Sequence, residues 1–143
     1  MPTSKITALL GGKKALGKDI KSQMDLVDVA LAGVTKESLQ HLAKEMGESI
    51  RQIAELLPLT ERTIQRYQAK RRFSSVVSES ILQIAEVVAR GAEVFEDKER
   101  FLEWLVQPSA ALGNQTPKSL MRSRFGTDMV LAELTRIEHG VLS

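Results

Sequence analysis

The sequence contains no cysteine in 143 residues, and it has only two histidines, one tryptophan and one tyrosine. Without cysteine, disulfides, thiolate metal sites and thiol catalysis are excluded. The two histidines, His41 and His139, lie far apart in the chain and show no metal-ligand spacing. A glycine-rich phosphate loop and a nucleophile elbow are also missing. We therefore expect no metal, no cofactor and no enzymatic activity.

Long hydrophobic runs are missing as well. No segment approaches the roughly 18 consecutive apolar residues of a membrane-spanning helix, and the first residues offer no adequate apolar core or cleavage site for secretion. These absences predict a cytoplasmic protein without a membrane partner. The 43% of apolar and 27% of charged residues suffice for one domain, or for two small domains that share a core.

Helical periodicity runs through almost the whole chain and predicts an all-α fold of about eight short helices. The clearest stretch is residues 49–72, where apolar residues recur at i, i+3, i+4 and i+7 before Pro58 ends the helix. Thr60 is a good N-cap for a second helix over residues 61–70. Two helices joined by a tight turn in this way predict a helix-turn-helix.

The second of these helices and the residues after it are basic. Between residues 61 and 72, five basic side chains face one acidic side chain, in a chain with a net charge of only +2. Arg and Gln can pair with guanine and adenine edges, and a Lys/Arg run suits phosphates. The candidate DNA-binding residues are Thr60, Arg62, Thr63, Gln65, Arg66, Lys70, Arg71 and Arg72. An ordinary helical hairpin with a solvated basic face is the alternative, and residues 70–72 are also candidates for a dimer contact.

Three parts are predicted along the chain. Residues 1–24 hold five lysines and three glycines, and we interpret them as a flexible basic arm that either follows DNA phosphates or serves as a solubilising tail. Residues 25–77 form the helix-turn-helix domain. Residues 78–143 form a small helical domain with a linking helix at its start. The wide apolar stripe of that helix either joins the two halves or packs against a second copy.

Capping residues predict where the other helices begin. Thr35, Ser78, Thr116 and Thr127 each precede a segment of helical period, and Pro117 stands at the first helical position after Thr116.

Three motifs follow one another in the last third of the chain. WLVQPSAALG, TPKSL and GTDMVLAELTRIEHG occupy residues 104–113, 116–120 and 126–140. Their ordered pattern, WL..P...LG, TP..L and G...V...L.RIE.G, closely resembles the toxin-binding domain of Xre/MbcA/ParS-type antitoxins. With the helix-turn-helix before it, the resemblance covers residues 25–143.

The resemblance implies a bacterial antitoxin of a type II toxin-antitoxin system. Such antitoxins pair with RES-domain toxins, which degrade NAD or use it to ADP-ribosylate a target, so the NAD chemistry would belong to the partner. It further implies that the C-terminal domain covers the toxin's active site. The N-terminal domain would bind and repress the operon's promoter as part of a homodimer. The toxin contacts that we expect are Arg122, Arg124, Arg136, Glu138, His139, Val141, Leu142 and the carboxylate of Ser143.

Two residues depart from the family pattern. Asn114 stands where a second glycine is expected and Lys118 where a small apolar residue is expected, and both belong to an expected interface edge. The alternative function is a stand-alone helix-turn-helix transcription regulator whose C-terminal half only oligomerises. A hydrolase or transferase is a more distant alternative. The ordered motif with its polar RIEHG ending favours the antitoxin, because a pure dimerisation module does not need it.

Overall fold

The computed structural model describes residues 3–140, which form ten α-helices and one 3-10 turn and contain no β-strand. The all-α prediction is therefore confirmed for this part of the chain. The helices are α1 (Thr3–Leu9), α2 (Gly12–Leu16), α3 (Gln23–Ala32), α4 (Lys36–Glu45), α5 (Ile50–Ala54), α6 (Glu61–Arg66), α7 (Ser75–Phe95), α8 (Lys98–Leu105), α9 (Pro117–Leu120) and α10 (Arg124–Glu138), with the 3-10 turn at Ala110–Leu112.

Helix α7, with 21 residues, is the centre of the fold. Helices α1, α3, α8 and α10 all pack against it, so its apolar side chains are buried on several sides. One continuous core results, to which both halves of the chain contribute. Of the two interpretations of the wide apolar stripe, the one in which it joins the halves describes the structure.

The N-terminal segment is not a flexible arm, and that prediction is wrong. Ile6, Leu10, Leu16 and Ile20 are fully buried, and α1 packs on α4 and α7 while α2 packs on α4. The Thr7 hydroxyl also accepts the N–H of Ile20 at 2.8 Å. The lysines suggested a solvated arm, but a short helix can carry charged residues on one face and bury its other face. The predicted limits at residues 24 and 77 stay predictions, although α7 runs across the second.

Three of the predicted N-caps are confirmed. The hydroxyls of Thr35, Thr60 and Thr116 accept the N–H three residues further on, at 3.1, 3.2 and 3.2 Å. Each bond satisfies one of the amide groups that a helix start leaves without an intrahelical partner.

The other two predicted caps are wrong. Ser74 caps α7, whereas Ser78 lies inside that helix, where its buried hydroxyl accepts the N–H of Val34 at 2.8 Å. Ser123 caps α10, and Thr127 lies one turn further inside. Each helix therefore begins about one turn earlier than predicted. The residue before it is a serine with the extended backbone of an N-cap.

Two glycines allow the C-terminal helices to pack closely. A Cβ added at Gly91 of α7 would overlap the ring of Phe101 in α8, and one added at Gly126 of α10 would overlap the backbone oxygen of Leu120 in α9. These helices therefore approach one another at a distance that no larger side chain permits.

Within residues 3–140, no helix is both long and apolar enough to cross a lipid bilayer.

Candidate DNA-binding and partner-binding surfaces

Helices α5 and α6 form the predicted helix-turn-helix and pack against each other. A capping box starts α5: the Ser49 hydroxyl accepts the Gln52 N–H at 3.1 Å, and the Gln52 side chain accepts the Ser49 N–H at 2.9 Å. Helix α6 is anchored by Ile64, which is fully buried. One apolar anchor on a six-residue helix leaves the other faces of α6 free for contacts outside the chain.

Helix α6 is shorter than predicted, because it ends at Arg66 instead of residue 70. The chain after Tyr67 turns back and pairs with the start of α4 and the residues just before it. The N–H of Lys36 donates to the Arg71 oxygen at 3.0 Å and the N–H of Phe73 to the Val34 oxygen at 2.8 Å. The Lys36 ammonium also donates to the Tyr67 carbonyl at 2.8 Å, and a cation is favourable at a helix C-terminus. These long-range contacts are invisible to a local sequence pattern.

The side chains of α6 divide into capping groups and free groups. Thr60 and Thr63 share a 3.0 Å hydrogen bond between their hydroxyls, and the Gln65 amide donates to Glu61 at 3.1 Å. Arg62 and Arg66 are exposed and have no ion-pair partner among the described residues. Separated by four positions, they lie on the same face of α6. This face therefore presents two uncompensated positive charges.

The basic residues after α6 are not equivalent. Lys70 is exposed, whereas the Arg71 guanidinium lies 4.1 Å from the centre of the Tyr67 ring. The Arg72 guanidinium donates to the Gly33 carbonyl at 2.7 Å. Arg71 and Arg72 thus already have partners inside the chain. Arg71 and Arg72 are also exposed, but because of these contacts we restrict the name basic surface to the exposed residues Arg62, Gln65, Arg66 and Lys70.

Of the predicted toxin contacts, Glu138 is engaged most firmly inside the chain. Its two carboxylate oxygens accept hydrogen bonds from the Arg90 guanidinium of α7 at 2.6 and 3.0 Å. These hydrogen bonds hold the pKa of the Glu138 carboxyl below its ordinary value and raise the pKa of Arg90. This bidentate pair fixes the end of α10 against α7. Glu138 is therefore suited to position the last residues of α10.

Arg136 and Arg124 each have acidic neighbours. The Arg136 side chain donates to the nearly buried Glu133 at 2.8 Å. Arg124 lies 3.3 Å from Asp128 and 3.8 Å from Glu86. Burial raises the pKa of the Glu86 carboxyl, and the charge of Arg124 partly opposes that shift.

Arg122 and His139 are exposed. Val141, Leu142 and Ser143 lie outside the described residues. Within residues 5–140, Arg122 and His139 are therefore the predicted toxin contacts of this region whose side chains are exposed and form no ion pair.

Sequence reasoning missed the exposure of Phe125. Phe125 lies in the first turn of α10 with 85% of its surface exposed. The missed signal is Ser123. If Ser123 is taken as the N-cap, Phe125 falls opposite the buried Val130 and Leu134 on the helix.

Two family models match the chain one after the other. Residues 25–86 match the antitoxin Xre-like helix-turn-helix domain, and residues 90–140 match the antitoxin Xre/MbcA/ParS C-terminal toxin-binding domain. These families consist of regulatory and toxin-binding domains, which agrees with the prediction that the chain is not an enzyme.

Two relatives are each named antitoxin Xre. One, from Photorhabdus laumondii subsp. laumondii, is 30% identical over 79 residues, which are 54% of this chain and 53% of the relative. The other, from Yersinia enterocolitica, is 33% identical over 73 residues, which are 50% of this chain and 49% of the relative. The matched part of the chain thus spans about half the length of each relative.

Proposed function

We propose that this chain, which carries the helix-turn-helix and toxin-binding domains of the Xre/MbcA/ParS-type antitoxins, neutralises a toxin and binds the promoter of its own operon. The observation that carries the proposal is the succession of the two domains in one chain, over residues 25–86 and 90–140. In this proposal the exposed basic surface of the first domain binds DNA, and the exposed polar side chains of the second domain bind the toxin.

For DNA binding, α6 acts as the recognition helix in the major groove. Arg62, Gln65 and Arg66 are exposed on it and have the hydrogen-bonding groups that read guanine and adenine edges. Lys70 follows the helix and suits a phosphate. Arg71 and Arg72 contribute by holding the loop through Tyr67 and Gly33. Binding at the promoter blocks transcription of the operon.

The toxin in this proposal is a RES-domain protein that acts on NAD, as the resemblance of residues 104–140 implies. A cleft that binds the NAD pyrophosphate must offer positively charged groups and hydrogen-bond donors. The end of α10 and the residues after it cover such a cleft; Arg122, Arg136 and His139 contact acceptor groups around it and not its cationic centre, and Glu138 fixes the end of α10 through Arg90. The antitoxin itself needs no cofactor for this.

We also place the chain in a homodimer. Helix-turn-helix proteins that bind as dimers read two half-sites related by two-fold symmetry. A single six-residue recognition helix offers few base contacts, so pairing two such helices supplies the affinity and specificity that a promoter site requires.

The proposal is tested by co-expressing the chain with the adjacent open reading frame. The complex is analysed by size-exclusion chromatography with light scattering, and NAD levels are measured in the cells. We expect a stable complex and preserved NAD only when this chain is present. DNA binding without any complex or rescue would instead identify a stand-alone transcription regulator.

Matched variants separate the two activities. Arg62→Ala with Arg66→Ala should lose promoter binding and keep toxin neutralisation, whereas Arg122→Ala with His139→Ala should do the opposite. All four side chains are exposed, so these changes leave the core intact. Loss of both activities in either double variant would contradict the assignment of separate surfaces.

A further inference from the structure

A groove of about 370 Å³ runs between α3 and α7. Five apolar residues line it together with six polar or charged ones, and Arg124, at the start of α10, stands at its edge. For comparison, a cavity of roughly 150 Å³ suffices to bind benzene. The apolar residues that line it are Leu26, Val27, Ala30, Leu31 and Leu82.

Exposed apolar side chains are concentrated on the helices that form this groove, and two of them, Val27 and Leu31, line it. Of the seven large apolar side chains most exposed within residues 5–140, six belong to α3, α7 and α10, the helices that line the groove. Isolated exposed apolar residues are normal, but a concentration of them on neighbouring helices marks an interaction surface. The six are Met24, Val27, Leu31, Val76, Phe125 and Met129, and the seventh is Val106 in the loop after α8.

We propose that this face, formed by α3, the first half of α7 and the start of α10, binds the same face of a second copy of the chain. Phe125 of each copy enters the α3–α7 groove of the other. The inference rests on the proposed homodimer and names its surface. A two-fold interface requires one patch to be complementary to itself, and here the exposed Phe125 ring follows directly after Arg124, which lines a partly apolar groove.

Charge complementarity supports a second copy as the occupant. The groove edge carries the carboxylates of Glu79 and Glu86 and the guanidinium of Arg124. Glu79 has no ion-pair partner among the described residues, and Arg124 is still 56% exposed although it lies 3.8 Å from Glu86 and 3.3 Å from Asp128 of its own chain. When Phe125 enters the groove of the second copy, Arg124 arrives next to that copy's Glu79. Each copy thus supplies one exposed cation and one unpaired carboxylate.

The pairing is also compatible with DNA binding. Helix α6 packs mainly on α5, and Arg62 and Arg66 remain exposed. An interface on α3, α7 and α10 therefore leaves the basic surface of both copies uncovered.

The test measures the dimer dissociation constant of the full chain by sedimentation equilibrium. Phe125→Ala and Leu31→Glu should each raise it at least tenfold. Val106→Glu is the matched control, since Val106 is 54% exposed but lies outside this face; its dissociation constant should stay within about twofold of that of the unaltered chain. Both altered side chains are exposed, and circular dichroism melts confirm that every variant folds.

A charge exchange checks the orientation of the two copies. Arg124→Glu should weaken the dimer, and adding Glu79→Arg should restore at least part of the affinity, because the pair is reversed across the interface. Equal dissociation constants in the unaltered chain, Phe125→Ala and Leu31→Glu would overturn this surface while leaving the homodimer in place.

A chain that is monomeric at every concentration would overturn both the surface and the homodimer, and the co-expression assay would still test the antitoxin activity separately. Toxin binding that is lost in Phe125→Ala and Leu31→Glu, but not in Val106→Glu, in a monomeric chain would assign this face to the toxin instead.

Discussion

Lys118 of α9 forms an ion pair with Glu48, the residue before the N-cap of α5. Their side chains are only 19% and 10% exposed, and the pair connects the C-terminal domain to the helix-turn-helix. In the sequence, Lys118 is a departure from the family pattern. The structure gives this departure a role inside the chain, because the lysine neutralises a carboxylate that the domain contact covers.

Replacing Lys118 with methionine should destabilise the protein by about 2 kcal/mol or more, because it leaves the Glu48 carboxylate covered and without its cation. One Glu48 oxygen, Oε1, already lacks a hydrogen-bond partner. Urea unfolding measures the change. Lys98→Met is the matched control: Lys98 pairs with Glu45 at 2.9 Å between the same domains, but the two side chains are 55% and 47% exposed. It should cost less than about 1 kcal/mol. Equal losses would show that burial does not distinguish the pairs.

Gly91→Ala should also destabilise the protein, although alanine favours a helix by roughly 1 kcal/mol over glycine. The added methyl group would overlap the Phe101 ring, and overpacking of this kind typically costs about 1–3 kcal/mol. Thermal unfolding of the variant measures the loss. Adding Phe101→Leu, which shortens the opposing side chain, should recover part of the stability relative to Gly91→Ala. No recovery would indicate that Gly91 is required for another reason.

The sequence predicts the parts of this fold that depend on local signals. Thr60 and Thr116 are found as caps because a cap needs only a hydroxyl and the next three residues. The prediction fails where distant contacts decide. Ser78 was expected to start a helix, but its hydroxyl is satisfied by Val34, 44 residues away in the sequence. Helix α6 ends early because residues 69–73 pair with residues 34–37, at the start of α4.

The same distinction applies to the candidate site. The positive charge of residues 62–72 is visible in the sequence, but its division into free and engaged side chains is not. Arg72 is held by the Gly33 carbonyl, a contact between residues that no local pattern connects. Likewise, Ile6 and Leu10 look like a small apolar patch among lysines until α7 and α4 cover them.

Substitutions in the basic surface should therefore have different effects. Arg66→Ala should cost about 1–3 kcal/mol of DNA-binding free energy and relax specificity, and Lys70→Ala should weaken binding to all sequences and lower the salt slope by roughly one unit. Arg72→Ala should instead lower thermal stability, because its hydrogen bond to Gly33 is lost. Fluorescence anisotropy at several salt concentrations and thermal melts measure these quantities. Unchanged DNA affinity in Arg62→Ala, Arg66→Ala and Lys70→Ala would remove the recognition-helix assignment.

The Glu138–Arg90 pair should make stability depend on pH in the acidic range. Arg90 lowers the folded-state pKa of Glu138, whereas an unfolded glutamate titrates near about 4.3. Between these values the unfolded state binds more protons, so stability rises with pH and the contribution is complete above the unfolded pKa. It is lost as the pH falls through the folded pKa.

Glu138→Gln should reduce stability at pH 7 and flatten the curve of melting temperature against pH below about pH 5. Glu103→Gln, at an exposed glutamate without an ion-pair partner in residues 5–140, should leave that curve unchanged; the same flattening in both variants would show that Arg90 is not its cause.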